Sequence, residues 1–247
     1  MIKISIIIAT WNVEKTLKRC LDSIVCQLTN DCELIIIDGD SKDSTNQIIN
    51  SYNEYITYSV SERDNGIYDA WNKAIIKAKG EWLMFLGADD MLKPDFVSTY
   101  TKFLEIENVY DVDIISAKAQ LVDNDGKYLT IMGEPYSWDV FKYRMNISHG
   151  STLHRRTLFD ELGLFDTNIK ICADYDFLLR KKMNAIFIDK ELIIMQYGGM
   201  SHSLKGVKDG YLVRAKNHSI PKLLNLIILA KASIGFLLKT YIKYKIN

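Results

Sequence analysis

The stretch SERDNGIYDAWNKAIIKAKGEWLMFLGADDMLKP, residues 61–94, decides the expected fold of this chain. It predicts a charged loop, a helix at residues 67–79 and a fully apolar strand at residues 82–86. The strand leads into two adjacent carboxylates, Asp89 and Asp90. Ligands of α/β proteins bind at the carboxyl ends of the strands, so we expect these acids at a binding site. Such a pair can hold a hard divalent cation, which in turn can hold a diphosphate.

A structural role for the same acids is the alternative. Asp90 could cap a helix that begins near Pro94, since proline suits the first turn of a helix. An isolated Asp-Asp pair would favour that interpretation, and the motifs elsewhere in the chain are what favour the binding site.

The rest of the chain alternates strand and helix patterns. Predicted strands cover residues 4–9, 34–37, 56–60, 82–86, 112–122, 128–132, 185–188 and 192–197. Predicted helices include residues 67–79, 94–107, 138–146, 171–182 and 221–244. The first strands are continuous apolar runs, typical of a parallel sheet that is buried on both faces. The pattern predicts an α/β protein with a mostly parallel central sheet flanked by helices (α/β/α). The chain has neither a G-x-G-x-x-G nor a P-loop motif, which argues against a hydride-transfer dinucleotide fold.

Composition and charge divide the chain into two parts. Among 247 residues, 48% are hydrophobic, and the 31 basic residues balance the 31 acidic ones. Residues 201–247 nevertheless carry nine Lys/Arg and one acid. We therefore expect one domain at residues 1–204 and a basic, amphipathic helical extension at residues 205–247. Four cysteines without metal-ligand spacing, and no signal peptide, favour a cytoplasmic protein.

An ordered series of motifs spans the first 200 residues. It comprises SIIIATWN, IIIDGDSKDST, SERDNGIYDAWNKA, GEWLMFLGADD, ELGLFD and ADYDFLLR. The series resembles bacterial family 2 glycosyltransferases with the GT-A nucleotide-diphospho-sugar transferase fold. The resemblance implies an inverting hexosyl- or N-acetylhexosaminyltransferase that needs Mn²⁺ or Mg²⁺. It also implies a nucleoside-diphosphate-sugar donor, a saccharide or lipid-linked acceptor, and a role in surface polysaccharide synthesis, such as lipopolysaccharide O-antigen or capsule.

The resemblance assigns roles to particular residues of this chain. It implies nucleotide-sugar binding by Thr10, Asn12, Asp38, Asp64, Asn72, Lys73 and Asp89. It implies metal binding by Asp89 with Asp90, and it makes Asp174 the catalytic base. An aspartate at position 38 could accept the imide N–H of uracil, which favours a UDP-sugar donor.

Other readings of these side chains stay open. Asp38 could only organise a turn, and Asn72 could be a polar position on an amphipathic helix. Asp174 could be a first-turn helix acid, with Asp176 as a competing acceptor-side candidate.

The four histidines divide between the site and the scaffold. His149 could line the acceptor site or be structural, and His202 could reach the metal or be an exposed loop residue. His154 and His218 are expected to be structural or exposed.

Departures from the family pattern keep other functions open. Gly87 replaces the first acid of the family's D-x-D-D pattern, which would weaken the metal site. A catalytically weak or inactive nucleotide-sugar-binding protein of the same fold is therefore one alternative. A sugar nucleotidyltransferase is another, although the chain lacks the glycine- and arginine-rich phosphate loop that such enzymes use.

The predicted tail helix at residues 221–244 is apolar on a broad face and is interrupted by Lys231. This pattern suits a helix that lies in a membrane interface better than one that spans it. We expect a peripheral enzyme on the cytoplasmic face of the bacterial inner membrane. The alternative is a helix that packs on the domain or on a second subunit, as in a homodimer. The tail contains no nucleic-acid-binding module, so nucleic acid is not an expected partner.

Overall fold

The computed structural model of the chain describes residues 2–201 and 203–246, with side chains to Leu238. In these residues one sheet contains nine strands: β1 (Ile4–Thr10), β2 (Cys32–Asp38), β3 (Tyr58–Ser61), β4 (Trp82–Gly87), β5 (Met91–Leu92), β6 (Ile114–Val122), β7 (Tyr128–Met132), β8 (Leu153–Arg155) and β9 (Ala185–Gln196). The helices are α1 (Leu17–Val25), α2 (Thr45–Ser51), α3 (Ile67–Lys77), α4 (Phe96–Ile106), α5 (Trp138–Phe141), α6 (Thr157–Leu162), α7 (Ala173–Leu179), α8 (Leu204–Lys216) and α9 (Lys222–Ile246).

The predicted parallel half of the sheet is confirmed. The strand order is β3-β2-β1-β4-β8-β6-β9-β5, and β7 pairs with the part of β6 that extends beyond β8. Strands β1 to β4 run parallel in this half, and β6 and β9 pair parallel further along. Strands β5, β7 and β8 run the other way. The apolar runs of β1, β2 and β4 lie at the centre because helices cover both of their faces.

Helices lie on both faces of the sheet because the side chains of each strand point alternately to one face and the other. One face of the sheet packs against α1, α2 and α4, through side chains such as Ile6 and Ile8 of β1. The opposite face packs against α3, α6, α7 and α8, through Ile7 of β1 and Phe85 of β4. Because successive strand residues point to opposite faces, one continuous apolar run builds both layers.

Several local predictions differ from the structure. Residues 185–196 form one strand, β9, where the sequence predicted two, because β9 keeps its pairing with β6 across register shifts. Helix α4 begins at Phe96 with Asp95 at its N-cap position, so the alternative that Asp90 caps this helix is wrong. Helix α7 is shorter than predicted and begins at Ala173.

The expected C-terminal extension is helical and packs on the rest of the chain. Helix α8 contacts α7, and α9 folds back against α8. The Asp209 carboxylate of α8 accepts a hydrogen bond from the backbone N–H of Ile171, at 3.1 Å. The predicted boundary at residue 204 therefore falls between elements that share a packed core. In the described residues, no helix is long and apolar enough to cross a membrane.

Candidate functional site

A cleft runs along the carboxyl ends of β1, β2 and β4. Its largest part is a cavity of about 800 Å³, lined by the residues that follow β1 and β4 and by the loop before α3. A second part, of about 520 Å³, shares Trp11, Asn12 and Asp64 with the first. A third part, of about 440 Å³, shares Lys15 and Asp89 with it. Parallel strands bring these segments to one edge of the sheet, where α/β proteins bind ligands.

Trp11 forms an aromatic wall of this cleft. Its side chain follows β1, is 67% exposed and lines two parts of the cleft. The next residue, Asn12, has a left-handed backbone with φ of 52°. The Asn12 backbone N–H donates to Ser41 Oγ at 2.8 Å, and Asn12 Oδ1 accepts from the Lys42 N–H at 2.8 Å. The left-handed turn is thus tied to the loop after β2, and it leaves the indole of Trp11 facing the cleft.

The Asp38 carboxylate lies beneath the cleft and does not line it. It accepts hydrogen bonds from the hydroxyls of Thr10, Ser41 and Ser61, and from the Asn46 amide. Burial alone would raise the pKa of Asp38, but these hydrogen bonds outweigh it and lower the pKa. Because the oxygens are already engaged, the geometry favours the alternative that Asp38 organises the turn. In this structure Asp38 therefore has no free acceptor atom with which to bind uracil in the way that the sequence predicted.

Asp64 does reach the cleft. Its Oδ1 accepts a hydrogen bond from the Gly66 N–H at 2.8 Å, and the side chain lines two parts of the cleft. A Cβ at residue 39 would lie 2.6 Å from Asp64 Oδ2, so the glycine there makes room for this carboxylate. Lys73 binds Glu62 at 2.8 Å and the Arg63 carbonyl at 3.2 Å. Lys73 thus braces the loop that carries Asp64 and does not itself line the cleft.

Asn72 has a structural position, contrary to its predicted place beside the donor phosphates. Its side chain is buried and makes two hydrogen bonds with the backbone of Phe165. Nδ2 donates to the Phe165 carbonyl at 2.9 Å, and Oδ1 accepts from the Phe165 N–H at 3.0 Å. These two hydrogen bonds hold the loop before α7 against α3.

Asp89 and Asp90 follow β4 and have different surroundings. Asp89 is partly exposed and lines two parts of the cleft. Asp90 is buried, and its Oδ1 accepts a hydrogen bond from the Gln196 N–H at 2.9 Å. Burial and the neighbouring charge of Asp89 raise the pKa of Asp90 to about 7. Asp89 is therefore the acid of the pair that is presented to a ligand.

The residue at position 87 shapes this acidic pair. A Cβ at Gly87 would lie 2.8 Å from Asp89 Oδ1 and 2.8 Å from Asp90 Oδ2. Both carboxylates therefore turn into the space that a side chain at this position would fill. The replacement of an acid by glycine removes one carboxylate and lets the remaining two converge.

Arg19 fixes the loop that carries these acids. One guanidinium nitrogen donates to the Asp89 carbonyl at 2.9 Å and to Gln196 Oε1 at 2.9 Å. Gln196 ends β9 and also holds Asp90 through its backbone, so Arg19 and Gln196 link both acids to the far half of the sheet. Neither residue belongs to a recognisable motif, since Arg19 is a polar position in α1 and Gln196 is a polar residue at the end of β9.

Asp89 and Asp90 could hold a divalent cation only if a substrate supplied further ligands, such as phosphate oxygens. In the described residues, no group of three or more His, Cys, Asp or Glu side chains could hold a metal ion. His202, a predicted metal ligand, lies outside the described residues. Mg²⁺ is commonly held by one or two carboxylates together with substrate phosphates and water. Asp89, with Asp90 turned towards it, matches that kind of site.

Asp174 lies in the first turn of α7 and is largely shielded from solvent. Its side chain is 19% exposed. Oδ1 accepts from the Tyr175 N–H at 2.9 Å and lies 3.0 Å from the Tyr68 hydroxyl. Burial raises the pKa of Asp174 to about 6, and those two hydrogen bonds act in the opposite direction. A carboxyl group with such a pKa is ionised at neutral pH and still accepts a proton readily.

His149 packs beside Asp174. Its ring stacks on Trp71 and Phe85, and its Nδ1 lies 4.0 Å from Asp174 Oδ2. Burial lowers the pKa of His149 to about 4, so the ring is neutral. His149 Nε2 has no hydrogen-bond partner in the described part of the chain. His154 is also buried and neutral behind it. The acceptor-side role of His149 stays a prediction, with the ring now placed against the candidate base.

Asp176 is a structural anchor, which corrects its prediction as an acceptor-side acid. Its side chain is fully buried and binds Arg180 at 2.9 Å. It also binds Lys216 Nζ at 3.1 Å and Asn217 Nδ2 at 2.8 Å. These partners come from α7 itself and from the end of α8. The carboxylate thus joins two helices, and no oxygen faces the cleft.

Tyr68 connects the cleft with the candidate base, and it was not among the predicted site residues. Gly66 and Ile67 line the largest cavity, and Tyr68 follows them directly in α3. The ring packs on Trp71 and Phe165, while the hydroxyl reaches Asp174. The sequence feature that could have identified Tyr68 is a tyrosine hydroxyl on the otherwise apolar face of α3, a helix that begins beside the site.

Family and fold comparisons agree with this architecture. Residues 5–186 match the family model described as glycosyl transferase family 2. A PGL/p-HBAD biosynthesis glycosyltransferase of Mycobacterium bovis is 31% identical over 212 residues, covering 81% of this chain and 79% of that protein. An uncharacterised glycosyltransferase of Rickettsia typhi is 29% identical over 200 residues, covering 77% of this chain and 62% of the relative.

Solved structures share the fold at low sequence identity. S. aureus TarS in complex with UDP-GlcNAc has a TM-score of 0.69 and 20% identity, covering 93% of this chain and 71% of that chain. The mannosyltransferase PcManGT from Pyrobaculum calidifontis, in complex with GDP-Man and Mn²⁺, has a TM-score of 0.65 and 18% identity, covering 99% of this chain and 81% of the other. The predicted GT-A fold is confirmed.

Proposed function

This chain belongs to glycosyl transferase family 2, and on that premise we propose that it transfers a sugar, with inversion, from a nucleoside-diphosphate sugar to a hydroxyl acceptor. One observation carries the proposal. A cleft at the carboxyl ends of β1, β2 and β4 presents Asp89, and the segment that lines it leads through Tyr68 to the partly buried carboxylate of Asp174. The acceptor we expect is a saccharide or a lipid-linked saccharide in surface polysaccharide synthesis.

The two oxygens of Asp174 have different tasks in this mechanism. Oδ1 is held by the Tyr175 N–H and lies against the Tyr68 hydroxyl. Oδ2 accepts no hydrogen bond from the described residues, and it is the atom we assign as the general base. It takes the proton of the acceptor hydroxyl while the acceptor oxygen bonds to the anomeric carbon. The bond from that carbon to the phosphate oxygen breaks, and the nucleoside diphosphate leaves.

The leaving diphosphate needs positive charge near Asp89. A bound Mn²⁺ or Mg²⁺ would neutralise the charge that develops on the phosphates. Asp89 would hold the ion, with Asp90 beside it. Arg19 holds the backbone of Asp89, and it therefore orients this carboxylate towards the cleft.

The nucleotide base is best placed against Trp11. The exposed indole offers a flat apolar face, and ring stacking on such a face is tolerant of base identity. Asp38 has no free oxygen to read uracil, so the preference for a UDP-sugar no longer rests on that residue. UDP and GDP are both donors to test. The solved neighbours TarS and PcManGT bind UDP-GlcNAc and GDP-Man, respectively.

Calorimetry with UDP, GDP and CDP, with and without Mn²⁺, tests the donor site. A screen of the sugar nucleotides of the tightest-binding base then tests turnover, with Asp174→Asn as the catalytic control. We expect the wild type and Asp174→Asn to bind one of the three nucleoside diphosphates in a metal-dependent manner. We expect only the wild type to turn over the corresponding sugar nucleotide. Binding without turnover by the wild type would favour a nucleotide-sugar-binding protein. Turnover that survives Asp174→Asn would remove Asp174 from the mechanism.

A further inference from the structure

Helix α9 packs on α8 along one side and leaves its opposite side exposed. Asn225 is buried, and its Oδ1 accepts a hydrogen bond from Arg214 Nε of α8 at 2.8 Å. Its Nδ2 donates to the Tyr211 carbonyl at 3.0 Å. The predicted tail helix is therefore present, and the side that carries Asn225 docks on α8. The apolar side is left without protein contacts that would bury it.

The outward side forms one continuous apolar face. Six large side chains of this face are between 44% and 71% exposed: Leu223, Leu226, Ile227, Ile234, Leu237 and Leu238. At 100° per residue they fall within an arc of about 120°. Ala230, also exposed, lies in the same arc, which contains no polar side chain. Exposed apolar residues scattered singly need no explanation, whereas a contiguous face marks an interaction site.

The charges around this face indicate which kind of partner covers it. Lys222 and Lys231 are exposed and lie on either side of the apolar arc. Helix α9 contains five lysines and no acidic residue, so its own field is entirely positive. A second copy placed against this face by twofold symmetry would bring lysines together, which opposes self-association. An apolar face bordered by lysines suits the interface of a bilayer that contains anionic lipid.

We propose that the outward face of α9 (residues 222–238) lies in the interface of a membrane containing anionic lipid. The apolar side chains enter the acyl boundary, and the flanking lysines stay at the level of the headgroups. The inference rests on the α9 face alone and is independent of the proposed sugar transfer. The expected localisation on the cytoplasmic face of the bacterial inner membrane follows from it as a prediction.

Vesicle flotation of the full-length protein tests this proposal. The vesicles contain phosphatidylcholine alone or with phosphatidylglycerol. The triple variant Leu223→Ser/Ile234→Ser/Leu237→Ser removes apolar surface, and Lys222→Glu/Lys231→Glu reverses the flanking charge. The double variant Ile76→Ser/Ile106→Ser is the matched control, because these residues are 71% and 78% exposed on other helices. Melting temperatures and circular dichroism establish that each variant is folded.

We expect the wild type and the control to float with phosphatidylglycerol vesicles and to be released by high salt. Partitioning of the triple variant should fall by at least about tenfold, since each lost side chain removes buried apolar area. The charge variant should lose its preference for phosphatidylglycerol. Absence of wild-type flotation, or equal flotation of the triple variant, would overturn the proposal. So would a wild-type dimer that the triple variant converts to a monomer without any vesicle binding.

Discussion

The hydroxyl of Tyr68 lies 3.0 Å from Oδ1 of Asp174, across the junction between the start of α3 and the start of α7. The same hydroxyl also hydrogen-bonds to the Ile171 carbonyl. A phenol has one proton, so it donates to one of these oxygens at a time. The charge on Asp174 favours donation to the carboxylate, and protonation of Asp174 favours donation to the carbonyl. Tyr68 is thereby a positioning residue that responds to the state of the base.

Tyr68→Phe should move the acid limb of the pH–rate profile to higher pH. The Tyr68 hydrogen bond lowers the pKa of Asp174, so its loss raises that pKa above its present value of about 6. We expect kcat/KM at pH 6 to fall roughly threefold to tenfold, with recovery at pH 8. Tyr175→Phe is the control, because its hydroxyl bonds the Phe141 carbonyl and not Asp174. An acid limb that stays in place in Tyr68→Phe would contradict this role.

Asp174→Asn should stabilise the protein most at high pH. Burial raises the folded-state pKa of Asp174 from 3.8 to about 6, so stability present at low pH is lost as the pH rises through that window. An amide does not titrate. The stability advantage of the variant should grow by about 1 kcal/mol from pH 5 to pH 8. Chemical denaturation at both pH values measures it, and an advantage that shrinks with pH would refute the assigned pKa.

Asp89→Asn and Asp90→Asn should separate the roles of the two neighbouring acids. Asp89 lines the cleft, whereas Asp90 is buried with a pKa near 7 and binds the Gln196 N–H. We expect Asp89→Asn to remove most of the Mn²⁺-dependent gain in nucleotide affinity, at least about tenfold. Asp90→Asn should keep most of that gain. Equal losses in calorimetry would show that the carboxylates act as one cation site around Gly87.

Trp11→Ala should weaken nucleotide binding by roughly tenfold to a hundredfold, since one stacked base contributes about 1–3 kcal/mol. The loss should be similar with and without Mn²⁺, because stacking does not involve the diphosphate. Tyr110→Ala is the control, as an aromatic residue that is 84% exposed and outside the cleft. Unchanged affinity in Trp11→Ala would place the base elsewhere in the cleft.

Asp176→Asn should cost stability and spare turnover. It removes a fully buried charge whose partners are Arg180 and Lys216. The cost should lie below the roughly 3–5 kcal/mol of a fully buried pair, because the side chains of Arg180 and Lys216 are 21% and 47% exposed. Asp166→Asn also loses a contact with Lys216, but this acid is 26% exposed, and the cost should be smaller. Well below the melting temperature, kcat/KM of Asp176→Asn should match the wild type. A selective loss of turnover would restore Asp176 as an acceptor-side residue.

The sequence predicted the parallel half of the fold because local pattern and tertiary role coincide there. The apolar runs of β1, β2 and β4 are buried on both faces, so their composition alone identifies them. The short strand β5 was not predicted. Two residues carry no periodicity, and they form a strand only because β9 lies beside them.

Functional residues divided along a different line. The acids Asp89 and Asp174 follow from the family motifs; Asp89 lines the cleft, and the side chain of Asp174 is 19% exposed. Asn72 and Asp176 are also polar residues of these motifs. Asn72 binds the Phe165 backbone, however, and Asp176 binds the end of α8. Which partner a polar side chain finds depends on residues distant in sequence, and no local pattern encodes it.

The buried bond between Arg214 and Asn225 has a consequence for any shortened version of this enzyme. Arg214 is a buried cation whose Nε donates to the amide oxygen of Asn225, so deletion of α9 would remove this partner and uncover the side of α8 on which α9 packs. The helix that we propose as a lipid-facing surface is therefore also a structural strut. Trimming it to gain solubility would replace one exposed face by another, that of α8, and single substitutions on the outer face of α9 are the safer route to a soluble enzyme.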